Sequence, residues 1–203
     1  MTTSDEEFNA RPRRFGTGWR HRIASRLTGR DLVPQGFAGT LAEDEHVLGA
    51  AEVVDGGFLV ATSLGLWLPD EGGQRRVYWH LISKAVWAQK TGRALTVTEA
   101  RESGTLEGAV LLADLPPRRF TLATRGSLPD VVNARVTASV RSAHHRDLPG
   151  GGAWFVQRKV SGADGIVLQV RPDPGTDADA VASVTRQIVG KLRELHESRD
   201  EAR

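Results

Sequence analysis

The sequence predicts a mainly β protein in which a curved antiparallel sheet, built as a barrel or sandwich, is closed by one helix. Three observations support this fold class. From residue 46 onwards, apolar residues recur at every second position in short segments. Turn-forming glycine, proline and aspartate residues separate these segments. A stripe of valines at helical spacing then follows the last of them.

The strand assignments follow from this two-residue period, and the turns between them are distinct. Asp55-Gly56-Gly57 favours a hairpin turn, because glycine accepts the positive φ angles that such turns require. Pro69 to Gly73 and Lys90 to Gly92 predict two further turns, and Pro116-Pro117 ends a strand. The first predicted strands are His46–Val54, Phe58–Ser63 and Leu64–Leu68. Three short segments follow: one around Val77 and Trp79, one around Val86, and one around Leu95 and Val97. The last two strands are Gly108–Asp114 and a segment around Phe120 and Leu122.

A helix over residues 128–143 is predicted to close the sheet. Ser127 to Asp130 resembles a capping box, and Val132, Val136 and Val140 form a single apolar stripe. The stripe suits a helix that lies over one open end of a barrel. The residues expected to point inwards are Val60, Leu66, Val77, Leu95, Val97, Phe120, Val132 and Val136.

The C-terminal segment has a different pattern. Leu148 to Gly152 is interpreted as a flexible link, and residues 153–171 predict a β-hairpin. A helix over about 177–197 follows, with its buried stripe expected at Val181, Val184, Ile188, Leu192 and Leu195. Because a two-stranded hairpin is marginally stable alone, hairpin and helix are expected to pack on the preceding domain or on another copy.

Composition narrows the classes of function. The 203 residues include no cysteine, which excludes disulfides, thiolate metal sites and thiol nucleophiles. The N-terminus carries acids where a signal peptide carries bases, and no apolar run reaches the ~20 residues that span a bilayer. These features predict a cytoplasmic protein.

Charge is distributed unevenly along the chain. Residues 11–30 carry seven arginines and no acid, whereas residues 36–203 carry 20 basic and 21 acidic residues. Trp19, Ile23 and Leu27 fall on one helical face of this basic segment, as an interfacial helix requires. A solvated, disordered tail is the alternative interpretation. The candidate polyanion-binding residues are Arg11, Arg13, Arg14, Trp19, Arg20, Arg22, Arg26 and Arg30.

Several residue groups superficially suggest metal or catalytic chemistry. His144-His145 is interpreted as a solvated helix end, and Glu43 to His46 as a solvated loop. The aspartates between 173 and 179 do not match a calcium loop and suit helix capping instead. No phosphate loop, nucleophile elbow or metalloprotease motif is present. We therefore expect no catalytic residue, no metal and no cofactor, although an active site assembled from scattered residues stays an alternative.

The order of strands and helix, and several short motifs, resemble bacterial pleckstrin-homology-like (PH-like) domains. Glu45-His46-Val47-Leu48-Gly49-Ala50-Ala51 looks like their first strand, and Gly57 to Thr62 followed by Leu64 to Leu68 like their second and third. Val77 to Ile82 is similar to their fourth. The likeness covers roughly residues 40–143, and the whole chain resembles a group of uncharacterised actinobacterial proteins, which implies no activity.

The resemblance implies a domain organisation and a function. Residues 1–35 are expected to form a largely disordered basic arm, 36–147 the PH-like domain, and 148–203 a hairpin and helix packed on it. Phosphoinositide-binding members of this superfold use a basic loop between the first two strands, which here is the short, acidic Asp55-Gly56-Gly57. The expected function is therefore a non-enzymatic binding or adaptor module for a protein partner. The alternatives are nucleic-acid or anionic-membrane binding through the arm, and an uncharacterised enzyme.

Overall fold

The computed structural model describes residues 33–88, 93–160 and 166–201, and this part of the chain is mainly β. A short 3₁₀ turn, Trp79–Leu81, separates the fourth and fifth strands. The elements are β1 (Val47–Glu52), β2 (Phe58–Thr62), β3 (Gly65–Asp70), β4 (Gly73–Tyr78), β5 (Ile82–Ala88), β6 (Ala94–Leu106), β7 (Ala109–Asp114), β8 (Arg118–Thr121), α1 (Leu128–Ser139), β9 (Val140–Leu148), β10 (Gly151–Lys159), β11 (Ile166–Pro172) and α2 (Ala178–Glu201).

Two compact units share these elements. The first unit comprises residues 33–99 and 116–138 of the described chain, and the second comprises 100–115 and 139–201, apart from the gaps already given. The predicted Lys90 to Gly92 turn lies outside the described residues. Strand β6 therefore contributes its first half to one unit and its second half to the other. Among the described residues, no helix combines the length and apolar character needed to cross a membrane.

The first unit is a curled antiparallel sheet with one helix. Strands β1 to β4 form a four-stranded meander, and β6 pairs with β5 on one side and β8 on the other. The chain just after β1 joins the two parts, because Val53 bridges to Leu122 and the Val54 N–H donates to the Thr121 carbonyl at 2.9 Å. The sheet thus curls around a single core, and α1 packs into that core.

The core of the first unit confirms most of the predicted inward positions. Leu66, Val77, Leu95, Val97 and Phe120 are buried together with the α1 residues Val132 and Val136. Val60 is equally buried but lies in a second cluster, on the other face of the sheet, with Val47 and Trp67. Residues from the segment 33–41 cover that face, which explains why both faces of the meander are apolar.

The second unit is an open sheet covered on one face by α2. Its strand order is β6, β7, β11, β10, β9, and β11 runs parallel to β7, whereas the sequence predicted an antiparallel sheet over residues 46–123 and a separate hairpin over 153–171. The predicted hairpin of β10 and β11 is confirmed. Val181 is fully buried against the sheet, but Leu195 is 66% exposed, so the predicted buried stripe ends one turn early.

Two sequence interpretations between α1 and β10 were wrong. Helix α1 ends at Ser139, and Val140, predicted on its buried stripe, begins β9 instead. The segment Leu148 to Gly152 is a tight hairpin turn, not a flexible link, and Gly150 has a φ of +79°. A Cβ atom on Gly150 would lie 2.3 Å from the Gly175 carbonyl oxygen, so the glycine permits a close approach to the loop before α2.

Candidate binding site

A cavity opens at one end of the curled sheet in the first unit. Its volume is about 350 Å³, within the lower part of the range of small-ligand pockets. Three parts of the unit form it: the end of β1 with the turn that follows, the end of β3, and β8. The lining residues are Val53, Asp55, Gly56, Pro69, Arg118, Arg119 and Phe120.

Apolar side chains contribute part of the wall and the rim. Val53 and Phe120 are core residues that each reach the cavity from the buried side. Pro69 lies in β3, although the sequence placed it in a turn, and it adds an apolar surface. Val54 lies in sequence between the lining residues Val53 and Asp55 and is 62% exposed, but it is not itself a lining residue. The cavity therefore offers an apolar contact, and the next residue in the chain exposes one more apolar side chain.

Arg118 is the central charged residue of the cavity wall. Its guanidinium lies 5.1 Å from the centroid of the Phe120 ring and donates a hydrogen bond to the Pro69 carbonyl. The same group forms ion pairs with Glu99 at 3.7 Å and with Asp70 at 4.0 Å. Arg118 is thus oriented by partners of its own unit and already has its charge compensated.

Arg75 completes this network from β4. It donates hydrogen bonds to Asp70 at 2.6 Å and to Glu99 at 3.1 Å, so two arginines and two carboxylates balance one another. The hydrogen bond from Arg75 is the largest influence on Asp70 and lowers the pKa of that carboxyl below its usual value. Burial opposes this shift, while the Glu71 N–H and the charges of Arg75 and Arg118 reinforce it. Asp70 therefore stays ionised at neutral pH, and its charge helps to compensate the two arginines.

Asp55 differs from the other acids near the cavity. It lies in the β1–β2 turn, where Gly56 and Gly57 have φ angles of +102° and +77°, and it is exposed. No described base forms an ion pair with it. The cavity therefore has an exposed acid without an ion pair to any described base, and Arg119 brings a positive charge to the same lining.

A buried acid on the opposite face of the sheet corrects one sequence interpretation. Glu45, expected in a solvated loop, is 3% exposed and accepts hydrogen bonds from the Thr62 hydroxyl at 2.6 Å, the Trp67 indole at 2.9 Å and the Ala42 N–H at 3.0 Å. It is also ion-paired with Arg76. Burial by itself raises the pKa of Glu45, but these hydrogen bonds and the Arg76 charge outweigh it, and the pKa is lowered.

The Glu45 interactions hold the segment before β1 against the sheet. The Phe37 and Trp67 rings form a T-shaped pair with centroids 5.5 Å apart, and the Arg76 guanidinium lies over the Trp67 and Tyr78 rings, at 5.3 and 4.9 Å from their centroids. Every polar atom of the Glu45 carboxylate is engaged within this cluster. We therefore assign it a structural role.

In the second unit, His145 was predicted at a helix end, but it lies in β9. Its Nε2 atom is 2.7 Å from an Asp173 oxygen and its Nδ1 atom is 3.5 Å from Asp147. The imidazole also packs against Trp154, with ring centroids 5.2 Å apart. The described residues contain no group of three or more histidines and acids arranged to hold a metal ion. The cluster links β9 to the loop that follows β11.

The residues predicted to bind polyanions, from Arg11 to Arg30, lie outside the described part of the chain.

The residues that line the cavity were not predicted from the sequence. The turn Asp55-Gly56-Gly57 and the arginines after the proline pair were visible, but nothing in their spacing shows that β1 and β8 come together. That proximity depends on pairing between residues 69 positions apart, Val53 and Leu122.

Comparison with known proteins gives no relative. No protein-family model matches the chain, and neither the curated proteins nor the solved structures contain a match.

Proposed function

We propose that this chain is a non-enzymatic binding or adaptor module of the cytoplasm, with a PH-like first unit that recognises a protein partner. The order of elements in that unit supports the PH-like assignment: a four-stranded meander is followed by β5, β6 and β8 and then by α1. The insertion of β7 after β6 departs from the simplest form of such a domain. Binding, and not catalysis, accords with the absence of a catalytic motif in the sequence.

The observation that carries the proposal is the cavity at the end of the curled sheet. Its arginine Arg118 is compensated by two carboxylates, so a phosphate group would compete with existing ion pairs. An apolar side chain of a partner, by contrast, would cover Val53, Pro69 and Phe120 and extend onto the exposed Val54. Asp55, which has no ion pair to a described base, favours a partner segment that also carries a basic residue.

Selection of peptides from a random displayed library against the full chain tests this proposal. We expect selected peptides to combine an apolar residue with a basic one, and their affinity to fall about tenfold for Val54→Asp, because a buried apolar contact is worth about 1.5 kcal/mol or more. Ile166→Asp is the matched control, since Ile166 is 44% exposed in the second unit. Equal binding by Val54→Asp, or Arg118-dependent binding of soluble inositol phosphates, would contradict the proposed site.

A second candidate function, polyanion binding through the arm, rests on the charge distribution. Seven arginines lie within residues 11–30, whereas residues 36–203 are almost balanced, with 20 bases and 21 acids. The arm is therefore the segment to which RNA, DNA or an anionic membrane would be attracted. Deletion of residues 1–35 is expected to abolish binding to RNA and to anionic liposomes. Unchanged binding of both would exclude this function.

A further inference from the structure

Strand β9 forms one edge of the sheet in the second unit. It pairs with β10 along one side, and no strand of the described chain pairs with its other side. The strand is nine residues long and contains no proline, the residue that would remove a backbone donor from the edge. Its only irregularity is a bulge at Arg141, opposite the step from Gln157 to Arg158. The free edge is long enough to accept another strand.

The hydrogen bonds of Gly152 show which backbone groups of β9 point outwards. The Gly152 N–H donates to Thr176 at 3.0 Å and its carbonyl accepts from the Asp173 N–H at 2.8 Å, so both groups point away from β9. Gly152 is the register partner of Asp147, which makes this a pair without direct backbone hydrogen bonds. Because bonded and non-bonded pairs alternate, the outward backbone groups belong to Ala143, His145 and Asp147.

We propose that a second copy of this chain pairs with β9 across a two-fold axis, forming an antiparallel β9–β9 junction. In the register centred on His144, Ala143 of one copy lies opposite His145 of the other. The outward N–H and C=O groups of these two residues then face each other and can form backbone hydrogen bonds between the copies. A two-fold axis makes each contact occur twice, as isologous association requires. The junction would join the two open sheets into one continuous sheet.

Charge complementarity selects a second copy as the occupant. In this register, Arg141 of each copy lies opposite Asp147 of the other, so opposite charges face one another at both ends of the junction. Arg141 lies in the bulge, where the regular backbone pairing is interrupted. Its long side chain, and not its backbone, makes the proposed contact with Asp147. Shifting the register by two residues places Asp147 opposite Ala143 and removes both attractions. An unrelated strand would match this pattern only by coincidence.

Sedimentation equilibrium of the full chain tests the proposal. We expect a reversible monomer–dimer equilibrium that weakens with salt. Arg141→Asp and Asp147→Arg should each weaken dimerisation about tenfold, because two cross-strand attractions become repulsions. The combined variant, Arg141→Asp with Asp147→Arg, should restore the wild-type dimer.

Ala143→Pro provides a backbone test of the same edge. The Ala143 N–H points away from β10, so proline there removes an outward donor while leaving the β9–β10 hydrogen bonds in place. We expect this variant to be monomeric and, at concentrations where the wild type is also monomeric, to melt at the wild-type temperature. A wild-type chain that stays monomeric at the highest attainable concentration would overturn the proposal. Failure of the double charge reversal to restore dimerisation would do so as well, and that outcome does not depend on whether Ala143→Pro folds.

Discussion

At the scale of single residues, the buried charges of Glu45 and Arg158 are each held by hydrogen-bonding partners. Glu45 is surrounded by donors that come from β2, β3, β4 and the segment before β1. In the second unit, burial lowers the pKa of Arg158 to about 10, and the nearby Arg171 charge adds to this shift. Arg158 therefore stays protonated at neutral pH. Both residues are costly to place in the interior and are retained with hydrogen-bonding partners.

Replacement of Glu45 by glutamine should destabilise the chain by about 2–3 kcal/mol, because Arg76 loses its counter-charge within a buried cluster. The folded-state pKa of Glu45 is lowered, so its contribution is present above the unfolded-state pKa and is lost as the pH falls through the folded-state pKa. The difference between wild type and Glu45→Gln should therefore shrink in acid. Chemical denaturation at neutral and acidic pH measures this, with Glu43→Gln, at an exposed position, as the control. A pH-independent difference would contradict this account.

At the scale of elements, the start of one helix was predicted correctly from the sequence, and the end of the other was not. The N-terminus of α2 was predicted from its acids, and the Asp177 carboxylate indeed accepts a hydrogen bond from the Ala180 N–H at 2.7 Å. The end of α1 was placed too late, because Val140 continues the valine stripe while the chain has already become a strand. Local periodicity cannot detect the pairing with β10 that decides the conformation there.

The exposed position of Leu195 gives a matched pair of substitutions within α2. Leu192 packs against the core of the second unit, whereas Leu195 is 66% exposed. We expect Leu192→Ala to lower the free energy of unfolding by about 1–2 kcal/mol and Leu195→Ala to change it by less than about 0.5 kcal/mol. Thermal and urea unfolding measure both values. Equal losses would mean that the apolar stripe is buried along its full length, as the sequence pattern suggested.

At the scale of the whole molecule, the sequence predicted the β class, the Asp55-Gly56-Gly57 turn and the C-terminal helix, because turn chemistry and periodicity are local properties. It did not predict the division into units. Strands β7 and β11 pair in parallel across more than fifty residues of intervening chain, and no local signal records such a pairing. The cavity has the same origin, since it depends on the long-range approach of β1 and β8.

The charge distribution of the whole chain gives a prediction that separates two targets of the arm. Ile23→Ser with Leu27→Ser should abolish binding to anionic liposomes, because attachment needs apolar insertion as well as charge. RNA binding should be largely preserved, since the arginines and Trp19 are unchanged. Liposome co-sedimentation and fluorescence anisotropy at two salt concentrations measure these effects. Parallel loss of both activities would show that the apolar residues do not distinguish the targets.

The strand shared by the two units has a consequence for how the protein is made. During synthesis, β6 and β7 leave the ribosome well before β11, the strand that completes the pairing of β7. At about 5–20 residues per second, this delay amounts to several seconds. The first unit can close as soon as α1 has emerged, and the β6–β7 hairpin meanwhile presents an open β7 edge. The nascent chain therefore passes through a stage that a chaperone could recognise, and slower translation of residues 116–165 would prolong it.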